Sequence, residues 1–238
     1  MTTQSNRSQR GFTLAELAIA IVVISLLMSG GFVSIAAQQD IRNISTTKRS
    51  LDDAREALLG YAAAHERLPC PAISTSNGRE DPDGSGPCTA NPGSSTVGYL
   101  PAATLGLSPT DSAGFLIDAW GNRIRYTVTE SDTDAFTKPG GIRTSGVSTL
   151  DPNLEVCNTA TAGDAPCPAG SRLTNQAVAI VYSLGKNGGA STPPTDDEKA
   201  NTDGGKVFVS ASNSSFDDIV LWLSPYTLYN RMITAGAL

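Results

Sequence analysis

Hydrophobic residues are distributed unevenly along the chain. The stretch from Leu17 to Ala37 has no charged side chain, whereas the rest of the chain is rich in Gly, Ser, Thr and Asp and has only short apolar runs. As a helix, this stretch would span roughly 31 Å, about the thickness of the hydrocarbon core of a bilayer. A secretory signal has a shorter apolar region that is followed by a small-residue cleavage site. The pattern therefore predicts a retained membrane-spanning helix.

A second helical pattern follows the apolar block. Apolar side chains recur there at spacings of three and four residues, and charged residues occupy the remaining positions. We expect one amphipathic helix that continues the first and ends before Pro69. His65 is the only histidine of the chain, so we expect it to pack or cap the helix rather than to act as a ligand or base. The predicted apolar stripe consists of Leu51, Ala54, Leu58, Tyr61, His65 and Leu68.

Beyond Pro69 the pattern favours β-strands. The apolar runs are short and contain β-branched and aromatic residues, and Gly/Pro/Ser/Asp-rich segments separate them. No helical pattern of adequate length lies between the runs, so an α+β fold is expected, in which an antiparallel sheet packs on the long helix. A closing helix is predicted from Pro225 to Thr234, with Ser224 as its N-cap. The predicted strands are 124–128, 177–184, 206–209 and 219–223.

The segments on the two sides of the apolar block carry opposite net charge. The chain carries a formal charge of −6, and because Arg7 and Arg10 are the only charged residues before Phe12, the remainder carries −8. An acidic body repels phosphate backbones, so nucleic-acid binding is not expected. Basic residues before a membrane helix favour a cytoplasmic N-terminus and a body on the outer side.

The four cysteines indicate an oxidising compartment. They allow three disulfide pairings, and we favour Cys70–Cys88 with Cys157–Cys167 because each pair encloses one polar, turn-rich segment. A zinc site would need closely spaced cysteines or histidines, which the sequence lacks.

The junction before the apolar block contains the most informative residues. The segment Arg10–Glu16 reads R-G-F-T-L-A-E and places a single acid, Glu16, at the start of an otherwise apolar helix. A carboxylate at that depth in a membrane is costly and needs a partner. One interpretation is a capping box, in which Thr13 is the N-cap and Glu16 is at position N3. The other is a partner elsewhere that pairs with the buried carboxylate, and the residues alone leave both interpretations open.

This segment, followed by an unbroken apolar helix, resembles the class III signal of type IV prepilins and type II secretion pseudopilins. The resemblance implies that a prepilin peptidase cuts between Gly11 and Phe12 and that the new amine of Phe12 is methylated. It also implies that Glu16 pairs with the Phe12 amine of a neighbouring subunit. The implied partners are other pilin or pseudopilin subunits and the inner-membrane assembly platform. The implied segments are a cytoplasmic leader (1–11), a transmembrane and filament-core helix (12–37), its amphipathic continuation (38–68) and a disulfide-stapled periplasmic domain (69–238).

The resemblance extends to details of the helix and the body. Many members of the family have a proline where Val33 stands here, and Gly30-Gly31 is an alternative point of flexibility. The segment Asp118–Asn122 resembles the D-x-W-G turn of major pseudopilins. Residues 183–189, together with Asp217 and Asp218, resemble the loop that binds calcium in those proteins; oxygen donors of this kind suit calcium. Solvated turn acids are the alternative, and both interpretations stay open.

These features favour a structural function. We expect a minor or atypical subunit of a type IV pilus or type II secretion pseudopilus, first inserted in the inner membrane and then assembled. The alternative is an adhesin-like minor pilin that binds a ligand at a pilus tip or surface. An enzyme is not expected, because the sequence has one histidine, no G-x-S-x-G motif and no phosphate-binding loop.

Overall fold

The computed structural model describes residues 11–83, 88, 98–160, 163, 165–189, 195–213 and 215–238, without the side chains of residues 28–36. The predicted leader thus lies outside the described residues, except for Gly11. The chain divides into two compact units, Met1–Arg42 and Asn43–Leu238.

Helix α1 runs from Leu14 to His65 and includes Gly30-Gly31. It ends shortly before Pro69, as the sequence predicted. Among the described residues, no helix is long and apolar enough to cross a membrane. The membrane-spanning segment predicted over residues 12–37 is therefore not confirmed, and it stays a prediction from the sequence.

The second half of α1 forms one wall of the main core of the larger unit. The predicted stripe is buried at Leu51, Ala54 and Leu58, but it continues through Leu59 and Ala62. Leu68, beyond the end of the helix, is also buried. The predicted stripe was wrong at Tyr61, which is half-buried, and at His65, which is exposed. The two rings stack with centroids 4.0 Å apart, and Nδ1 of His65 lies 3.1 Å from the carbonyl oxygen of Tyr61. The histidine thus lies against the last turn of the helix.

The strands form two three-stranded sheets rather than the single antiparallel sheet expected. The first has the order β1-β4-β6 and is antiparallel throughout. The second has the order β3-β2-β5, in which β2 pairs antiparallel with β3 and parallel with β5. The strands are β1 (Arg125–Val128), β2 (Leu154–Cys157), β3 (Arg172–Ala177), β4 (Ala179–Ser183), β5 (Val207–Val209) and β6 (Ile219–Leu223).

Val178 is the point at which the chain passes from one sheet to the other. The sequence predicted one strand over 177–184, but Ala177 ends β3 and Ala179 begins β4. The side chain of Val178 is buried in the main core, and its N–H donates to the carbonyl of Leu223 at 2.8 Å. A largely apolar run therefore contains a sheet change that periodicity does not reveal.

In the described part of the chain, five further helical segments connect and close the sheets. The closing helix α6 has the predicted bounds, with Pro225 in its first turn, although Ser224 makes no side-chain capping bond. The short segment α3 is a left-handed turn, because Asp132 and Thr133 have φ values of 57° and 59°. The segments are α2 (Ala102–Leu105), α3 (Ser131–Asp134), α4 (Gly141–Ser145), α5 (Asp196–Ala200) and α6 (Pro225–Thr234).

The structure contains both disulfides in chain order, Cys70–Cys88 and Cys157–Cys167. The first lies beside a buried ion pair, in which the guanidinium of Arg67 donates to both carboxylate oxygens of Glu80 at 2.7 and 2.9 Å. The backbone N–H of Cys70 donates to the same carboxylate at 3.1 Å. The segment after α1 is thus held by a disulfide and by a charge pair that share one location.

Candidate functional site

The predicted processing site lies at the start of the described chain. Gly11 precedes the helix, and a Cβ built on it would meet no heavy atom within 4 Å. The side chain of Phe12 is 89% exposed. Both residues that flank the predicted cleavage point are therefore sterically accessible in this chain.

The first turn of α1 is closed by a capping box between Thr13 and Glu16. The backbone N–H and the hydroxyl of Thr13 each donate to Oε2 of Glu16 at 2.9 Å, and the N–H of Glu16 donates to the Thr13 hydroxyl at 3.3 Å. This is the reciprocal pattern that satisfies orphan donors at a helix N-terminus. The capping interpretation of Glu16 thus holds for an isolated chain. Both hydrogen bonds that the Glu16 carboxylate accepts are made by the same oxygen, Oε2.

The same part of α1 is covered with exposed apolar side chains. Contiguous apolar surface of this kind marks a site of contact with lipid or with another protein. Between Gly11 and Asp40 the sequence has a single charged residue, Glu16, which lies at the N-terminal edge of this surface. The exposed large apolar residues are Phe12, Leu14, Leu17, Ile19, Ile21, Val22, Val23, Ile24, Leu26 and Leu27.

A second candidate site is a cluster of three carboxylates in the body, here named the acidic cluster: Glu198, Asp217 and Asp218. One oxygen from each lies within 4.8 Å of the others. Glu198 is 2% exposed and Asp218 is 8% exposed. The sequence singled out both aspartates, and the structure adds Glu198 from the short helix α5.

Two oxygens of the acidic cluster are buried without a hydrogen-bond partner among the described residues: Oε2 of Glu198 and Oδ1 of Asp217. The other oxygens of these two side chains are held by one residue. Asn187 donates from its backbone N–H to Oδ2 of Asp217 and from its side-chain amide to Oε1 of Glu198, both at 3.1 Å. Buried carboxylate oxygens left unpaired are costly, so the arrangement is suited to a bound cation.

The electrostatics of the acidic cluster favour the same conclusion. Burial raises the pKa of Asp218 to about 7, and the nearby charges of Glu198 and Asp217 add to this effect. The hydrogen bond that Asp218 accepts from Asn201, 2.8 Å from nitrogen to oxygen, acts in the opposite direction. Negative charges this close together repel one another, and a cation would relieve that repulsion.

The predicted loop 183–189, which contains Asn187, also approaches the acidic cluster at Gly185. A Cβ on Gly185 would lie 2.3 Å from the carbonyl oxygen of Asp217, so only glycine permits this approach. The side-chain amide of Asn122 donates to the carbonyl of Gly185 at 2.7 Å. Ser183 does not join the cluster, because its hydroxyl donates to Asp118 at 2.6 Å.

The segment Asp118–Asn122 forms the predicted Asp/Gly turn. Oδ1 of Asp118 accepts from the N–H groups of Trp120 and Asn122 at 2.9 and 2.8 Å, and Gly121 has a φ of 88°. Through Asn122, this turn supports the loop that approaches Asp217. The two segments that the sequence singled out separately are therefore neighbours.

Glu198 is the cluster residue that the sequence did not reveal. It belongs to a run of charged residues, Asp196–Lys199, that is typical of a solvated loop. The available signal was Thr195, which caps the helix by accepting from the N–H of Glu198 at 3.2 Å. A capped turn fixes the position of its N3 residue, here Glu198. The sequence does not indicate that Asp217 and Asp218 lie next to it.

Comparison with known proteins finds a family motif at the N-terminus. Residues 6–32 match the family described as the prokaryotic N-terminal methylation motif. The chain therefore carries the class III prepilin signal of type IV pilin-like proteins. No curated protein and no solved structure matches the chain significantly.

Proposed function

We propose that the protein is a minor or atypical structural subunit of a type IV pilus or type II secretion pseudopilus. The observation that carries this proposal is the methylation motif over residues 6–32, in which Glu16 is the single acid of an exposed apolar helix. Prepilin peptidase cleaves between Gly11 and Phe12, and the methylated amine of Phe12 meets Glu16 of a neighbouring subunit. The body is then periplasmic and later extracellular or pseudopilus-bound, and its role is structural rather than catalytic.

Fractionation of cells tests this role. The protein should be recovered with sheared filaments, or with an overproduced pseudopilus, and it should stay in the inner membrane when the prepilin peptidase is deleted. The proposal would be contradicted if the protein stayed in the membrane fraction of cells that have an active prepilin peptidase and assemble filaments.

We also propose that the acidic cluster binds calcium. Calcium takes six to eight oxygen ligands and tolerates irregular geometry, whereas magnesium demands a near-ideal octahedron. Glu198, Asp217 and Asp218 would supply carboxylate oxygens, and the unpaired oxygens of Glu198 and Asp217 are the features that fit a cation. When bound, calcium would offset two of the three formal negative charges of the cluster and tie α5 to the start of β6.

Thermal denaturation of the full-length protein in detergent tests this site. Calcium should raise the melting temperature by mass action, and magnesium at the same concentration should raise it less. Melting curves that are identical with calcium, with magnesium and with a chelator would contradict a cation site.

A further inference from the structure

We propose that residues 157–160, which the Cys157–Cys167 disulfide anchors and which are here named the clamp loop, hold Glu198 and Asp218 in the arrangement that binds the cation. This inference rests on the calcium site proposed above and supplies a structural reason for its affinity. Two separate chains of contacts lead from the clamp loop to the acidic cluster, one to each residue.

The first chain of contacts runs through Asp197. The hydroxyl of Thr159 and the backbone N–H of Ala160 both donate to Oδ1 of Asp197 at 2.9 Å. Asp197 precedes Glu198 in helix α5, which has only five residues. A helix this short has little stability of its own and depends on tertiary contacts. The clamp loop therefore fixes the backbone from which Glu198 projects.

The second chain of contacts runs through Asn201, which is 1% exposed. Cys157 pairs with Val209 in the parallel ladder between β2 and β5. Val209 donates from its N–H to Oδ1 of Asn201 at 2.8 Å and accepts from the Asn201 amide at 3.1 Å. The same amide nitrogen donates to Oδ2 of Asp218 at 2.8 Å. One buried side chain thus links the strand of the cysteine to the second carboxylate.

Packing joins these two chains of contacts. A small apolar cluster includes residues of the clamp loop, of α5 and of β5, together with the residue that precedes Asp217. Displacing any one of these segments would disturb the others, because protein interiors are close-packed. The members are Cys157, Ala160, Ala200, Val207, Val209 and Phe216, with Cys167 and Ala211 at the edge.

Residues that orient metal ligands without touching the metal typically change metal affinity by 10- to 100-fold when they are mutated. Opening the clamp loop should therefore weaken cation binding more than a loss of stability alone would. The chain offers a matched control, because Cys70 and Cys88 belong to the main core rather than to the cluster around Cys157.

The experiment is a calorimetric titration of the full-length protein in detergent with calcium, well below the melting temperature. We compare the wild type, Cys157→Ala/Cys167→Ala and Cys70→Ala/Cys88→Ala. The first double variant should raise Kd about tenfold or more, whereas the second should lower the melting temperature but leave Kd at the wild-type value. Equal Kd values for all three proteins, or equal weakening by both pairs, would overturn the inference. A wild type that does not bind calcium would overturn the cation site itself.

A second pair of variants keeps the disulfide, so it tests the same inference even if Cys157→Ala/Cys167→Ala does not fold. Asp197→Ala and Asp197→Asn remove the same negative charge, but only asparagine keeps an oxygen that accepts from Thr159 and Ala160. Asp197→Ala should raise the Kd for calcium several-fold more than Asp197→Asn. Equal effects of both substitutions would mean that charge alone matters, and the clamp would be refuted.

Discussion

Thr13 and Glu16 bond to each other in both directions at the first turn of α1: Glu16 accepts from Thr13 at 2.9 Å, and its own N–H donates to the Thr13 hydroxyl at 3.3 Å. A capping box of this kind needs a side-chain acceptor but not a negative charge. Pairing with the Phe12 amine of another subunit needs the charge. The two roles of Glu16 can therefore be separated by mutation.

The first prediction concerns Glu16→Gln, with Thr13→Val as the matched control. Glutamine keeps the capping acceptor and loses the charge, whereas valine removes the capping hydroxyl and leaves the charge. We expect Glu16→Gln to be cleaved after Gly11 yet to enter filaments poorly, because the amine of Phe12 would lack its partner in an apolar core. Thr13→Val should assemble nearly as well as the wild type.

The measurement is the ratio of sheared-filament protein to membrane-bound protein. If Glu16→Gln assembles like the wild type while Thr13→Val does not, Glu16 is a helix cap and the assembly role assigned to its charge is wrong.

The second prediction concerns Glu198→Gln in the acidic cluster, with Glu56→Gln as a control. Glu56 pairs with Arg231 outside the cluster. At calcium concentrations of 100 times Kd, mass action stabilises a protein by about 2.7 kcal/mol, and Glu198→Gln should lose most of this gain. In chelator it should melt at or above the wild-type temperature, because one of three mutually repelling charges is gone.

Melting curves recorded with calcium and with chelator check this prediction. A calcium response in Glu198→Gln as large as that of the wild type would remove Glu198 from the site, and Glu56→Gln should keep the full response.

The third prediction concerns the buried ion pair of Arg67 and Glu80, whose side chains are 8% and 4% exposed. Burial by itself would raise the pKa of Glu80, but hydrogen bonds from Arg67 and Tyr61 and the charge of Arg67 outweigh it, so the pKa lies below the ordinary 4.5. A carboxyl whose pKa is lowered by folding stabilises the protein above the unfolded pKa. That contribution is lost as pH falls through the folded pKa.

Glu80→Gln should therefore cost about 3–5 kcal/mol of unfolding free energy at pH 7, because it leaves a buried guanidinium unpaired. The difference from the wild type should shrink as pH falls below 4.5. Glu66→Gln breaks the more exposed pair with Arg143 and should cost no more than about 1 kcal/mol. Denaturant titrations at several pH values measure this, and a difference that grows toward low pH would contradict the assignment.

The fourth prediction concerns the disulfides. Non-reducing peptide mapping should find Cys70–Cys88 and Cys157–Cys167 and no free thiol. The sequence separations are 18 and 10 residues, so in the chain-entropy model the first bridge stabilises the protein by about 0.5 kcal/mol more than the second. Crossed pairs in the map would refute the pairing. A greater loss of stability on removing Cys157–Cys167 than on removing Cys70–Cys88 would refute the predicted order of the two contributions.

The sequence predicted the elements that local pattern determines. The end of α1 before Pro69, the strand at 219–223 and the bounds of α6 follow from periodicity, proline positions and β-branched runs. The second sheet was missed because its strand β3 is mostly exposed and polar. With residues such as Arg172 and Asn175, it lacks the regular alternation of apolar and polar side chains that indicates a half-buried strand. Strand β5 was predicted over 206–209, but it joins β2 by a parallel ladder, which depends on long-range contacts that no local pattern encodes.

The acidic cluster was half predictable for the same reason. Asp217 and Asp218 are adjacent in sequence and follow a recognisable arrangement, so they were singled out. Glu198 joins them only because α5 packs beside β5, and this placement depends on the clamp loop and on Asn201. Residues brought together by tertiary packing are visible only in the fold.

A prepilin-like precursor is trimmed at its N-terminus, and the mass of the mature N-terminus reports that trimming. Intact-mass and N-terminal peptide spectrometry should find a chain that begins at Phe12 with a methylated amine. Gly11→Val should instead retain residues 1–11, because a branched side chain obstructs cleavage, while both disulfides still form. Gly11 has no neighbour that a side chain would strike, so retention would reflect processing rather than misfolding. A wild-type protein that keeps its leader, or that begins at another residue in cells with an active prepilin peptidase, would contradict the account.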